Sequence, residues 1–209
     1  MPTGFGGNRK KVQKIYSVTP AMATKIQEFR EFYFPDLEAG ANPGILVNGI
    51  AASYYGVTNV GSSLHRCKYE AGGDFPDFLL KLTLKAYRKQ FGQKKFDLLL
   101  YVPPTESGDL VKNFAQKLSR ILQIPISDSL IKIKKTEPQK IFESALSKKE
   151  NVSNAFSLMP GENLKGKDIL IFDDIFDSGH TIKEIARMLK LHGVRSVSPL
   201  TIAKTVGGR

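Results

Sequence analysis

Apolar residues fall along this chain in two distinct rhythms. Phe96 to Val102 and Ile169 to Phe172 are nearly unbroken apolar runs, the pattern of strands covered on both faces. After the first run, Leu110, Val111, Phe114, Leu118, Ile121 and Leu122 return at helical spacing, and Thr181 to His192 repeats that rhythm after the second. Gly193 supplies a helix stop, and Arg195 to Ala203 predicts a closing strand. Ile124 to Ile133 predicts one more strand between the two units.

Strands alternating with helices predict an α/β fold: an open, mainly parallel sheet flanked by helices, with a small N-terminal lobe. Residues 96–209 form the expected core and residues 44–95 the front lobe. In that lobe Asp74 to Phe91 carries Phe78, Leu79, Leu82 and Ala86 at helical spacing, with Pro76 in the first turn. Ile45 to Tyr55 is apolar and aromatic and contains Asn48-Gly49, a turn signal that predicts a hairpin. Residues 1–43 read as a peripheral arm with a basic run, Asn8 to Lys11, and a short helix from Ala23 to Phe34. Lys134 to Ser153 is polar, lysine-rich and aperiodic, so a long loop or mobile arm is expected there.

Ligands of open parallel sheets bind beyond the carboxyl ends of the strands. That rule points at two loops, Pro103 to Gly108 and Asp173 to Thr181. The second is richer. Asp173 and Asp174 stand side by side where the strand is expected to end, and Asp177-Ser178-Gly179-His180-Thr181 then leads into a helix. A helix N-terminus offers unpaired N–H groups and about half a positive charge, which suits a phosphate. Ser178 and Thr181 add hydroxyls, and carboxylates accept hydrogen bonds from sugar hydroxyls. The stretch reads as a ribose-phosphate cradle.

The charge balance widens the picture. Thirty-one Lys and Arg against 20 Asp and Glu leave a formal charge of +11, which favours polyanionic partners such as nucleic acid or nucleotides. Aromatic side chains at Tyr54, Tyr55 and Tyr69 are candidates for stacking on unpaired bases of single-stranded DNA, with core packing as the bland reading. A single cysteine, Cys67, excludes an internal disulfide and argues against a zinc cluster. It reads as a small buried hydrophobe. No apolar run approaches the roughly 20 residues of a membrane span, no signal-peptide pattern follows Met1, and a cytoplasmic setting is the expectation.

Other signals have plainer readings. Gly161 to Lys167 has the spacing of a phosphate-binding P-loop, but Asp168 replaces the required hydroxyl and a strand follows instead of preceding it. Thr181 and Glu184 spell a capping box, which accounts for both residues without any ligand. His192 is expected at a helix end and His180 at a loop position with no required chemistry.

The run from Ile169 to Thr181 resembles the PRPP (5-phosphoribosyl 1-diphosphate) signature of type I phosphoribosyltransferases, with Asp177 where a threonine is usual. Lys134 to Lys140 with Asn151-Val152 and Ala155-Phe156, and the motif Leu64 to Tyr69, look like segments of the ComF competence family. The end from Ile202 to Gly208, and Val102 to Thr105, look closest to the phosphoribosyltransferase domain associated with some RecQ-type DNA helicases. The ComF pattern usually opens with a four-cysteine zinc module, which this sequence lacks.

The resemblance implies Mg²⁺-dependent displacement of pyrophosphate from PRPP by an acceptor it does not name. It places Asp173 and Asp174 on the ribose hydroxyls and Asp177, Ser178, Gly179, His180 and Thr181 around the 5-phosphate. Pro104, Thr105, Glu106, Ser107 and Gly108 would take the pyrophosphate, with Lys134, Lys135 and Lys140 as further partners. Mg²⁺ would sit mainly on ligand oxygens and water, with Asp173 or Asp174 as the only candidate direct ligands. The other implied role is a PRPP- or nucleotide-regulated accessory in DNA uptake, recombination or repair. A homo-oligomer and a separate helicase or recombination protein are the expected partners.

Overall fold

The structure is a computed structural model, and it describes residues 44–46, 49–55, 58–70, 73–104, 108–134, 136 and 150–205. The expected arm at 1–43 and the body of the lysine-rich segment lie outside the described residues.

Five strands form one sheet in the order β1-β7-β6-β2-β3, with every neighbouring pair parallel. They are β1 (Ile50–Tyr55), β2 (Leu98–Tyr101), β3 (Ile126–Ser127), β6 (Asp168–Phe176) and β7 (Ser196–Thr205). The short strands β4 (Leu130–Lys132) and β5 (Phe156–Leu158) pair antiparallel in a separate two-stranded sheet. Helices α1 (Asn59–Tyr69), α2 (Asp77–Phe91) and α3 (Leu110–Leu122) cover one face of the main sheet. Helix α4 (His180–Leu191) covers the other, together with the β4-β5 pair.

The alternation of side chains along β6 explains the two cores. Leu170 and Phe172 enter the α1–α3 side, where Phe172 stacks on Phe114 with ring centroids 5.2 Å apart. Ile169 and Ile171 enter the α4 side with Ile182, Ile185 and Leu189. All four strand residues are fully buried. Each such side chain contributes on the order of 1.5–3 kcal/mol through removal from water.

Two local expectations change. Residues 45–55 do not make a hairpin. Leu46 bridges Val197 and β1 runs parallel to β7, with Ile50, Ala51 and Ala52 wholly buried. Gly49 serves a close approach instead, since a Cβ there would stand 2.7 Å from Pro199 Cγ. The region from Ile124 to Ile133 divides into β3 and β4, which belong to different sheets. The motif Leu64 to Tyr69 lies within α1, whose start is capped by Thr58 Oγ1 accepting from Gly61 N at 2.9 Å.

The start of β6 is tied to β7 by charge. Arg195 donates through Nε and Nη2 to the two carboxylate oxygens of Asp168, and Ser196 Oγ donates to Oδ1 at 2.6 Å. The Arg195 bonds, with help from Ser196, hold the Asp168 pKa down at about 2, against an ordinary 3.8. A carboxylate depressed on folding stabilises above its ordinary pKa and loses that contribution as pH falls through the folded value. Lowering pH from about 3.8 to about 2 should therefore reduce the melting temperature of the wild type, and more weakly at high salt because Arg195 is exposed. Thermal melts of Asp168→Asn should show a shallower decline over that window; an identical decline would remove the pair from the acid response.

Candidate ribose-phosphate site

Because the sheet is parallel, the carboxyl ends of its strands gather along one edge. The loops after β2 and β6 both leave from that edge. Strand β6 is longer than its apolar run suggests: its ladder with β7 continues through Ile175↔Ala203 and Phe176↔Lys204. Asp173 and Asp174 thus lie inside the strand, correcting the expectation that they mark its end.

Their environments differ. Asp174 is 4% exposed, and the Lys68 Nζ of α1 lies 2.6 Å from its Oδ2. The contact is ionic without the direction of a hydrogen bond, so Oδ2 is buried with no aligned donor. Burial works against the Lys68 charge, yet the Asp174 carboxylate, and more weakly Tyr69 and Asp173, hold its pKa above the ordinary lysine value. Asp173 Oδ1 accepts the Asp174 N–H at 2.9 Å. Burial, and then the neighbouring Asp174 charge, push the Asp173 carboxyl well above the usual carboxylate range, with Lys68 pulling the other way. Lys132, at the end of β4, is depressed by burial and partly restored by the field of Asp173.

The following loop is tight. Gly179 has φ +78°, and a Cβ on it would come 2.7 Å from the Phe176 ring, so both conformation and space exclude a side chain. Asp177 Oδ1 accepts from Thr205 Oγ1 at 2.6 Å, which ties the loop to the end of β7. Ser178 Oγ and His180 Nδ1 are 2.7 Å apart. Helix α4 begins at His180 with Gly179 as its N-cap and no side-chain cap. The capping-box reading of Thr181 and Glu184 is therefore overturned. Glu184 instead accepts from Asn154 N at 2.7 Å and from Arg187.

On the other loop, Pro104 is partly buried and Gly108 (φ +54°) precedes α3, while Thr105, Glu106 and Ser107 lie outside the described residues. Beside it, Tyr101 Oη and Lys112 Nζ both donate to Asp128, at 3.1 and 2.6 Å. Lys134 donates to Glu150 O at 3.3 Å, at the root of the lysine-rich segment. Lys135 and Lys140 lie outside the described residues. Sequence reasoning quoted Lys68 and Thr205 only as parts of motifs and missed Lys132 and Asp128. No spacing rule links them to β6, since their proximity is tertiary. Among the described residues, no group of three His, Cys, Asp or Glu side chains gathers as a metal site. Cys67 is buried, as expected, and His192 caps α4 at its C-terminus.

A parallel α/β sheet whose central strand leads adjacent carboxylates and a glycine turn into a helix N-terminus has the local geometry that suits an anionic ligand. Residues 112–205, a little under half of the chain, match the family described as the phosphoribosyl transferase domain. Among its relatives, Competence protein F of Haemophilus influenzae is 33% identical over 92 residues, covering 43% of this chain and 40% of that protein. DNA utilization protein YhgH of Escherichia coli K12 is 26% identical over 153 residues, covering 68% of this chain and 66% of that protein. The chain is thus similar to these competence-type proteins, and the matched stretches cover 40% and 66% of their lengths. A solved structure described as the allosteric regulatory enzyme of purine biosynthesis is a distant likeness. It has 20% identity and a TM-score of 0.45 over 66% of this chain and 30% of that one.

Two substitutions separate the loop's backbone from its hydroxyl. Gly179→Ala should cost roughly 1–2 kcal/mol from the left-handed conformation alone, a fall of about 2–8 °C in melting temperature. Thr181→Val should stay within about 0.5 kcal/mol of wild type, because no cap is lost. A large drop for Thr181→Val in thermal melts would restore the capping role.

Proposed function

We propose that the chain binds PRPP and catalyses displacement of its pyrophosphate by an acceptor nucleophile. The observation that carries this reading is the continuity of β6 and α4: acidic pair, glycine-dependent turn and open helix N-terminus follow one another within the matched domain. Asp173 and Asp174 accept the ribose hydroxyls, and residues 177–181 surround the 5-phosphate. The pyrophosphate is assigned to Pro104 to Gly108, with Lys134, Lys135 and Lys140 as further partners. The new bond forms at C1 as the C1–oxygen bond to pyrophosphate breaks, and pyrophosphate departs with the electron pair. The ribose becomes cation-like on the way, so positioning and fixed charge matter more than one general base.

Mg²⁺ fits this site as a hydrated ion carried on the ligand's phosphate oxygens. Asp174 Oδ2 already meets the Lys68 ammonium, so the pair offers hydroxyl acceptors rather than a cage for a bare cation. When bound, the ion would neutralise charge on the departing pyrophosphate. Calorimetry with PRPP and Mg²⁺ tests the reading. Asp173→Asn combined with Asp174→Asn should weaken binding about tenfold or more, since bonds to charged groups contribute roughly 1.5–3 kcal/mol each. Equal affinity for wild type and the double variant would sink it.

A second reading, a DNA-handling accessory, is favoured by the relatives named for competence and DNA utilization and by the charge of +11. Helix α2 presents Lys81, Lys85, Arg88 and Lys89 on its exposed side, beside Phe78 at 43% exposure. Tyr54 is core at 7% exposure, so it does not stack on bases, whereas Tyr69 is 47% exposed. Basic run 8–11 lies outside the described residues. On this reading single-stranded DNA engages about four phosphates, and affinity falls with salt at a log–log slope near −3. Fluorescence anisotropy with labelled oligonucleotides should show that slope; no binding at low salt would leave the positive charge as a solubility feature.

A further inference from the structure

We propose that Lys68 is a positioning residue of the ribose subsite, fixing the Asp174 carboxyl through their 2.6 Å contact so that the acidic pair can accept hydroxyls of a ribose phosphate. The inference rests on the PRPP reading above and assigns a role to a residue outside the signature run.

Adjacent carboxylates in a buried strand are costly, because each desolvates the other's charge and repels it. Nothing in the packing of β6 asks for them. Position 173 pairs with Thr201 of β7, and fully buried Ile202 and Leu200 show that apolar side chains suit the neighbouring strand. A buried ion pair is seldom kept for stability alone, since apolar residues of similar volume commonly do as well or better. The Lys68–Asp174 pair is also incompletely satisfied. Asp174 Oδ2 has no aligned donor although its side chain is only 6% exposed. A buried carboxylate of purely structural use ordinarily collects several hydrogen bonds.

The lysine itself is held firmly. Val60, Leu64 and Cys67 fasten α1 into the core, and Thr58 caps its start. The Lys68 side chain is 16% exposed, and its Nζ lies 5.9 Å from the Tyr69 ring centroid. Tyr55 of β1 senses the same charges: burial and Tyr69 raise its pKa, Lys68 lowers it and Asp174 raises it. On the other side, Lys132 of β4 lies within the field of Asp173. Two carboxylates therefore lie within the field of two lysines from separate elements, and Lys68 is in direct contact with Asp174. Its ammonium offsets one negative charge without occupying both oxygens of the pair. What remains is an acceptor surface suited to neighbouring hydroxyls of a sugar ring. An anion without hydroxyls gains nothing from it.

That selectivity supplies the test. Calorimetry would compare PRPP, ribose 5-phosphate and inorganic pyrophosphate, each with Mg²⁺, on wild type, Lys68→Met and Lys68→Arg. Lys68→Met should lose about tenfold or more in affinity for the two ribose ligands and less than about threefold for pyrophosphate. Lys68→Arg, which keeps the charge, should recover most of the loss. If Lys68→Met does not fold, Lys68→Gln, which keeps a donor towards Asp174 without the charge, should give the same selective loss. Unchanged ribose 5-phosphate binding, or an equal loss for all three ligands, would reduce Lys68 to a structural ion pair and overturn the inference alone. A wild type that binds none of the three overturns the PRPP reading and this inference together.

Discussion

The central strand β6 must remain in a continuous parallel ladder while carrying two carboxylates into a water-poor environment. Its neighbours β7 and β2 fix its backbone, and the helices on both faces leave it little solvent. Under those conditions the acids have no local route to neutrality except proton uptake or a partner from elsewhere. Burial and the Asp174 charge push the Asp173 carboxyl upward in pKa, while Asp174 meets a lysine delivered by α1. The Lys68–Asp174 contact thus links α1, whose start Thr58 caps and whose Cys67 is buried, to the strand.

The loop beyond β6 depends on that same backbone continuity. Since the ladder persists to Phe176, the chain has only residues 177–179 in which to turn before α4 begins. A turn that short runs against the Phe176 ring, which is why a glycine stands at the closest point. The Asp177–Thr205 bond then fixes the loop to the neighbouring strand end. Such rigidity suits a phosphate cradle, whose N–H groups must point inward before the ligand arrives.

Much of this could be read along the chain. The apolar runs at 96–102 and 169–172, the stripe of α3 and the Gly193 stop identified the parallel core, because each is a local pattern with a local cause. Errors arose where tertiary contacts overrode local preference. Asn48-Gly49 favours a turn, but β1 gains more by pairing with β7. Gly61, Ser62 and Ser63 disguise α1 through their weak helix propensity. Glu184 fits a capping box by spacing, yet Asn154 and Arg187 claim it across the fold. Within the site, the signature residues were legible and their counter-ions were not. Lys68 and Lys132 lie far from β6 in sequence, and no periodicity records which charges will meet.

The pairing of β1 with β7 also bears on how the molecule is made. Ile50 is opposite Leu200, so the first described strand waits for a partner 150 residues downstream. At ribosomal rates of about 5–20 residues per second, that interval is on the order of ten seconds. Throughout it, the apolar strand Ile50 to Tyr54 has no ladder to join. Contacts of such long range also slow the search once synthesis ends. The nascent chain therefore exposes a sticky strand edge through that interval, which makes this segment the natural place for a chaperone to bind or for two unfinished chains to associate.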